Sequence, residues 1–471
     1  MRLVTDRFDL VVLGGGSAAR DAAMMAMRDY DARVALVERE RWGGSCPNVA
    51  CSPTKAYLVA AELAHDVTRR APVLGIETGP ARVDLARIRE WKDSLKRSQE
   101  EWVRDLEGSG LTAVSGQGTF TGPKTLRVGE RELDADRILV ATGSRTAVPP
   151  IEGIDEIDWL DHVSALDLDE VPRSLFVVGC GAVGLEFGQA FARFGAQVRL
   201  VDAAERIAPL ADPDASATLA AALQAEGIEL ATNVFVQQLR QDGDEVVATI
   251  APRDDGSEPY ERRAQRVLLA SGRVPNVEEL DLEAAGVETT KSGIAVDEHL
   301  RTSVPGIWAA GDVTAVAQFT PIAQYQARVA VADMFGEEAS TADYSVLPTA
   351  IFTDPELGGV GLTEEQAREQ GHDVGVVRNE RVKRFQFVGA EHGLFKIVFD
   401  HGSRKVLGLH VVSRSAGEIV QGFSLGLRLD ATVDDLAMMH HVFPTFGEGV
   451  KAAAERAVPS MADLVDSAFM D

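Results

Sequence analysis

The chain has 471 residues, 45% hydrophobic and 25% charged, with a formal net charge of −26 and three cysteines. That length allows roughly three ordinary domains, and the acidity argues against nucleic acid or an anionic membrane surface as a partner. No run of about 18 apolar residues is present to span a bilayer, no apolar signal core precedes the first strand, and the low cysteine count points to a reducing compartment, so a cytoplasmic protein with no membrane partner is expected.

Phe8 to Leu13 reads as a buried strand. It runs into Gly14-Gly15-Gly16-Ser17-Ala18-Ala19 and then an Ala- and Met-rich helix. Glycines there let the backbone approach a pyrophosphate, and the helix N-terminus holds its charge. A second strand, Val34 to Val37, ends at Glu38, 24 residues after Gly14, where a ribose 2′-OH is gripped in such folds.

Next comes Gly43-Gly44-Ser45-Cys46-Pro47-Asn48-Val49-Ala50-Cys51-Ser52-Pro53-Thr54-Lys55, with two cysteines five positions apart. One helical turn between them brings their Cα atoms within disulfide reach. Tyr57, Leu58, Ala60, Ala61 and Leu63 follow, so a helix is expected to start between Pro47 and Lys55. A thiol at a helix N-terminus sees the positive end of the dipole, which favours thiolate. The pair reads as a redox disulfide. The alternatives are two buried cysteines, or a metal site, which would want four ligands where no second cysteine pair exists; no metal is expected.

Ile138 to Ser144 is a strand ending in a turn at Gly143. Ser174 to Val178 is a strand followed by Gly179-Cys180-Gly181-Ala182-Val183-Gly184-Leu185-Glu186 and a helix, and the next strand, Gln197 to Val201, ends at Asp202. The first grammar thus returns, which is far more specific than one glycine fingerprint alone. Cys180 reads as a small packing residue. Leu268 to Arg273 echoes the Ile138 stretch, and Gly306 to Asp312 ends a strand with an acid at its tip, before another helix. Near the C-terminus, Leu394 to Phe399 and Val406 to Val412 are strand-like and Ala416 to Leu427 is helical, an α+β pattern.

These motifs, in this order, resemble those of the pyridine nucleotide-disulfide oxidoreductases, such as lipoamide dehydrogenase, glutathione reductase and mercuric reductase. The likeness runs from Phe8 to about Ala454. It implies an α/β fold with two Rossmann-like dinucleotide-binding domains, for FAD and NAD(P), plus a C-terminal α+β dimerisation domain. The FAD domain is then split into residues 1–148 and 271–343, the NAD(P) domain is 149–270, and the dimerisation domain is 344–471. The resemblance also implies a homodimer, each active site completed by the partner subunit's C-terminal domain. Carried over by motif, Gly14, Gly16, Glu38, Gly143 and Asp312 hold FAD, and Gly179, Gly181, Gly184 and Asp202 hold the nicotinamide dinucleotide. Cys51 is the thiol against the flavin and Cys46 the interchange thiol facing the substrate. Lys55 lies near the flavin N5, paired with Glu186, where a cation stabilises the charge that hydride transfer places on the ring. Electrons are implied to pass from NAD(P)H through FAD and Cys51 to the disulfide, and from the dithiol or the flavin to a small acceptor.

One departure matters for the acceptor. Disulfide-reducing members carry His-Pro-Thr-x-x-Glu, whose histidine shuttles the proton for the interchange thiol; here the frame is Phe443-Pro444-Thr445-Phe446-Gly447-Glu448. A phenyl ring moves no proton, and such assistance is typically worth about 10²–10⁴ in rate. His441 sits two residues earlier and, in an extended segment, would point to the same side as Phe443. Glu448 keeps its place without the imidazole it would orient. Mercuric reductase also has Phe-Pro there, but it hands over its metal with a C-terminal cysteine pair, and the tail Asp466 to Asp471 has no thiol. Trp42, Ser45 and Ala50 stand where the family more often has Leu, Thr and Gly. The expected function is electron transfer from NAD(P)H to a small acceptor such as a quinone or a metal ion. The alternatives are a dihydrolipoamide dehydrogenase-like or other disulfide reductase with a substitute base, and, less favoured, a mercuric reductase. A flavoprotein that only binds or senses fits poorly with an intact cysteine pair. Asp202 favours NADH, because a carboxylate repels a 2′-phosphate, with Arg206 the nearest following cation.

Overall fold

The computed structural model describes residues 4–79, 81–253, 256–336 and 340–462. The chain forms two compact units: one holds the chain up to Thr54, Glu90–Ala147 and Gly272–Asp343, the other Lys55–Arg89, Val148–Ser271 and the chain from Tyr344.

In the first unit, β1 (Val4–Leu13), α1 (Ser17–Tyr30) and β2 (Val34–Glu38) form the opening βαβ element. α2 (Ser45–Asn48) and the start of α3 (Cys51–His65) follow, then β3 (Thr112–Ser115), β4 (Gly118–Gly122), β5 (Thr125–Val128) and β6 (Arg131–Val140). The sheet order is β3-β2-β1-β6-β5-β4, with Ile307–Ala309 paired to β6. β1 lies parallel to both β2 and β6, with Leu10 opposite Val34 and Arg137. It extends back beyond Phe8 because Val4 to Arg7 pair with Arg131 to Asp134. Leu10 and Val12 face one apolar cluster and Phe8, Val11 and Leu13 the other, so the strand is covered on both sides. That is why it reads as an unbroken apolar run. Burying a leucine such as Leu10 contributes roughly 1.5–3 kcal/mol. Buried Ala18, Ala19, Ala22, Ala23 and Ala26 let α1 approach the sheet closely.

In the second unit, β7 (Ser174–Val178), α4 (Ala182–Phe194) and β8 (Gln197–Val201) repeat the βαβ grammar. With β9 (Glu229–Ala231) and β10 (Arg266–Leu269) they make a parallel sheet of order β9-β8-β7-β10. An antiparallel three-stranded sheet, Val234–Asp242, Glu245–Pro252 and Tyr260–Ala264, lies between β9 and β10 in the chain. The later part of this unit is a five-stranded antiparallel sheet built on Leu394–Asp400 and Val406–Ser413, with helix Ala416–Arg428 packed on it, the expected α+β arrangement. Within this unit α3 packs on α4: Tyr57 donates to the Leu166 carbonyl at 2.9 Å and meets Phe194 edge-on. Lys396 of the antiparallel sheet is buried against Asp212, Asp214 and Glu364 at 2.9, 2.8 and 3.0 Å. Burial pulls its pKa down, but the three carboxylates outweigh that and hold it above the ordinary lysine value. Among the described residues, no helix is long and apolar enough to cross a membrane.

Candidate active site

β1 ends where the backbone must turn under a helix. Gly14 has φ +114, and a Cβ there would lie 2.2 Å from the Ala141 carbonyl oxygen, so only glycine serves. Gly16 begins α1 without a side-chain cap, leaving the first-turn amides to an incoming group. Glu38, at the end of β2, folds back over the turn: its carboxylate accepts from the amides of Gly15 at 2.6 Å, Glu40 at 2.7 Å and Arg41 at 3.0 Å. A cleft of about 340 Å³ opens beside it, lined by Leu13, Gly14, Glu38, Gly116, Thr142 and Arg145. Gly143 borders open space: among the described residues, apart from its chain neighbours, none comes within 4 Å of where its Cβ would stand. The strand read through to Ser144 ends at Val140; Ser144 begins a separate short strand, Ser144–Thr146, after the left-handed Gly143. Ser144 Oγ donates to Asp312 at 2.6 Å, and Arg273 Nε donates to that Oγ at 2.7 Å. Arg273 lay in a stretch singled out from the sequence, but its link to Asp312 did not show there.

The cysteine stretch is stitched to this turn by its backbone. Gly43 N donates to the Gly15 carbonyl at 3.1 Å, and a Cβ on Gly44 would fall 2.4 Å from Gly16 Cα. Instead of one helix, the stretch makes two: Cys46 lies on the short α2 and Cys51 opens α3. The break is held by buried Asn48, whose amide donates to the carbonyls of Trp42 at 2.9 Å and Gly44 at 2.7 Å. Cys46 is half-buried and Cys51 exposed. Cys51 Sγ lies 3.6 Å from Thr320 Oγ1, at the start of helix Thr320–Phe335. Asn48 and Thr320 are polar residues in ordinary settings, and nothing in the sequence marks them.

Lys55, one turn into α3, places Nζ 2.7 Å from Glu186 Oε2 on α4. Its ammonium also stands 4.3 Å from the centroid of the Phe352 ring, a cation–π contact. Phe352 N donates to the other Glu186 oxygen at 3.0 Å. The sequence reading had no means of finding Phe352, which arrives from a remote segment.

The second turn repeats the first. Gly179 has φ +112, and its Cβ would lie 2.3 Å from the Ala270 carbonyl oxygen. Gly181 begins α4 without a side-chain cap, and among the described residues, apart from its chain neighbours, none comes within 4 Å of a Cβ there. A Cβ on Gly184 would meet the Gly179 carbonyl oxygen at 1.9 Å. Asp202 accepts from Cys180 N at 2.6 Å and Ala204 N at 2.8 Å. Cys180 is fully buried in the apolar core, and burial, then the nearby Asp202, pushes its thiol far above the ordinary range. Arg206 donates to Glu365 at 3.0 Å. Arg253, unremarked in the sequence, donates to the Ala203 carbonyl at 3.2 Å.

The C-terminal frame from His441 to Gly447 is irregular rather than extended. Phe443 is 70% exposed, whereas the His441 ring stacks on Phe423 and its Nδ1 lies 3.2 Å from the Met439 carbonyl. The two rings therefore do not share an environment. Glu448 opens helix Glu448–Glu455 and accepts the Thr445 amide at 2.8 Å. The tail Asp466–Asp471 lies outside the described residues.

Two uncapped helix N-termini under glycine turns, each with a carboxylate at the next strand end, fit the diphosphate and ribose of FAD and of NAD(P)H. With a cysteine pair beside the first turn, these features define a flavin- and pyridine nucleotide-dependent redox enzyme. The chain belongs to the pyridine nucleotide-disulphide oxidoreductase family, whose profile matches residues 8–327 and whose dimerisation domain matches residues 347–454. It is an NAD(P)H-dependent flavoprotein oxidoreductase that uses FAD. It is 36% identical to the mercuric reductase of Staphylococcus aureus over 452 residues, 95% of this chain and 82% of that one. It is 35% identical to the dihydrolipoyl dehydrogenase of Thermus scotoductus over 463 residues, covering 95% and 97%. Among solved structures it is similar to the Cu(II) complex of the HOCl-induced flavoprotein disulfide reductase RclA from Escherichia coli, with TM-score 0.84, 27% identity and coverage of 95% and 99%.

Proposed function

We propose that the chain moves electrons from NAD(P)H to a thiol-reactive metal ion or a quinone, rather than to lipoamide. The observation that carries this is Phe443, exposed in the position where disulfide-reducing relatives present an imidazole, with Glu448 turned to a backbone amide instead. A disulfide substrate needs its leaving thiol protonated. A metal ion does not: NAD(P)H and two Cu(II) give NAD(P)⁺, H⁺ and two Cu(I). The likeness to mercuric reductase and to the protein solved with Cu(II) supports a metal acceptor.

In this reading FAD, when bound, would supply an acceptor for the nicotinamide hydride and a store of two electrons that can be passed on together or singly. The FAD part is 1–148 with 271–343, the nicotinamide part 149–270, and 344–471 pairs two subunits into a homodimer. Gly14, Gly16, Glu38, Gly143 and Asp312 hold FAD; Gly179, Gly181, Gly184 and Asp202 hold the nicotinamide dinucleotide. Cys51 takes electrons from the flavin side, its thiolate favoured at the start of α3, and Cys46 meets the acceptor. Lys55, held by Glu186, offers its positive charge to the reduced ring. NADH is the favoured donor: Asp202 repels a 2′-phosphate, and Arg206 is engaged by Glu365.

A second reading, a disulfide reductase with His441 as base, has one observation behind it. His441 Nε2 is buried and meets no hydrogen-bond partner among the described residues. Steady-state NADH oxidation with Cu(II), Hg(II), a quinone and lipoamide, on wild type and Phe443→His, separates the readings. Wild type should be slow with lipoamide and faster with a metal ion or quinone. Phe443→His should raise lipoamide turnover, by less than the full ~10²–10⁴ of general acid–base assistance, because the surroundings are not shaped for imidazole. Wild-type lipoamide turnover of tens to hundreds per second, the ordinary enzyme range, would overturn the proposal, and its loss in His441→Ala would establish the second reading.

A further inference from the structure

α3 and α4 each carry a row of polar groups along one face. On α3 these are Lys55 and Glu62; on α4 they are Glu186, Gln189 and Arg193. Spacings of three, four and seven put such residues in line on a helix. At one end of the rows is the Lys55–Glu186 pair. At the other, Arg414 pairs with Glu62 and stands 3.6 Å from one oxygen of Asp354, while Arg193 holds the other oxygen at 3.1 Å. Between them the Gln189 carboxamide clamps one residue's backbone at two points. It accepts the Asp354 N–H at 2.8 Å and donates to the Asp354 carbonyl at 2.7 Å. Two residues before Asp354 is Phe352, which carries both the amide on Glu186 and the ring under Lys55.

Gln189 is 3% exposed and the Arg193 side chain 5%. Replacing buried polar groups by apolar ones of the same shape is often neutral or stabilising, which directs attention to the geometry these groups impose. We propose that Gln189 and Arg193 are positioning residues for Lys55. They fix Asp354, Asp354 fixes Phe352, and Phe352 sets both the ammonium and its carboxylate partner. The inference rests on the reading that Lys55 faces the flavin.

The test uses the FAD-loaded enzyme and three variants. Lys55→Met is the reference, and it should lower the flavin reduction potential by removing a cation that favours the reduced, anionic ring. Gln189→Leu keeps the volume but loses both clamp bonds and the carboxamide's bond to Glu226. It should shift the potential in the same direction, less far, and slow flavin reduction by NADH about 10- to 100-fold, the effect of a misplaced group, with NADH affinity unchanged. Arg414→Gln, at the half-exposed outer end, should give the same signature more weakly and serves if Gln189→Leu does not fold. If Lys55→Met moves the potential and neither clamp variant does, or if they lower only the melting temperature, the positioning role is overturned. If Lys55→Met itself leaves the potential in place, Lys55 does not face the flavin, and both readings fall together.

Discussion

The two dinucleotide turns match almost bond for bond, and they differ at their middle residue. In both, the first glycine donates to the end of the next strand, Gly14 to Val37 at 2.7 Å and Gly179 to Val201 at 2.8 Å. In both, the middle amide donates 2.6 Å to a carboxylate. Yet the middle residue is Gly15 in one and Cys180 in the other. The carboxylates explain it. The longer Glu38 folds over its turn, so that a Cβ on Gly15 would stand 2.8 Å from Glu38 Oε2 and 3.0 Å from its Cγ. Asp202 is one methylene shorter and leaves room for the Cys180 side chain to turn into the core. The third positions differ in the same local way. Ala19 fits buried beneath the first turn, whereas Gly184 has the Gly179 carbonyl oxygen where a methyl would go. A motif position is thus permissive or strict according to what stands across the turn, a side chain at the middle position and a backbone carbonyl at the third.

The largest expected effect comes from Gly184→Ala. Overpacking of this kind costs typically about 1–3 kcal/mol, and here it pushes on the turn itself. NADH affinity should fall with the melting temperature while flavin content, read by absorbance, stays. The reciprocal Ala19→Gly should cost about 0.5–1 kcal/mol and leave FAD bound. Equal losses in the two variants would mean that the turns are not distinguished at this position.

Gly15→Ala should weaken FAD retention by crowding Glu38, and adding Glu38→Asp should recover part of it. Contacting residues couple by about 0.5–3 kcal/mol in a double-mutant cycle. A coupling near zero, measured from FAD dissociation, would remove the steric account of the Gly15–Cys180 difference. A smaller change is expected at Asp202. Asp202→Asn keeps an acceptor for the Cys180 amide but loses the charge. The preference for NADH over NADPH in kcat/KM should therefore shrink about tenfold, the low end of what a hydrogen bond to a charged group, roughly 1.5–3 kcal/mol, is worth. A wild-type preference for NADPH would reverse the sign and point to Arg253. The smallest effect belongs to Cys180. Its thiol, raised by burial, stays protonated and unreactive, so Cys180→Ala should leave turnover within about twofold and cost roughly 1 kcal/mol of stability. Labelling of Cys180 by a thiol reagent in the folded enzyme would contradict that.

Two stretches show the limits of reading a helix from sequence. The apolar run after Lys55 marked α3 correctly, but the break between α2 and α3 depends on Asn48 bonding to Trp42 and Gly44, a choice its side chain makes only when those carbonyls are brought to it. In the C-terminal frame, His441 and Phe443 would share a side only if the segment were extended. The stacking of His441 on Phe423, from a separate helix, separates them.

What the sequence determined by itself was local and periodic. The glycine turns, the acids at the strand ends and the cysteine pair were legible from short-range rules: which residues tolerate φ above zero, which run buries as a strand, and how close in sequence the two cysteines stand. These marked two dinucleotide turns and a redox pair; the fold class, FAD and the family came from the resemblance that the motifs carry in that order. What only the tertiary structure decided was which distant side chains meet. Phe352 under Lys55, Gln189 on the Asp354 backbone, Thr320 beside Cys51 and Arg206 on Glu365 are pairings between segments far apart in the chain. Each is made by a residue whose type is common and whose neighbours in sequence say nothing. Such contacts form only when packing brings the elements together, because a buried polar group takes whichever partner the fold leaves within reach.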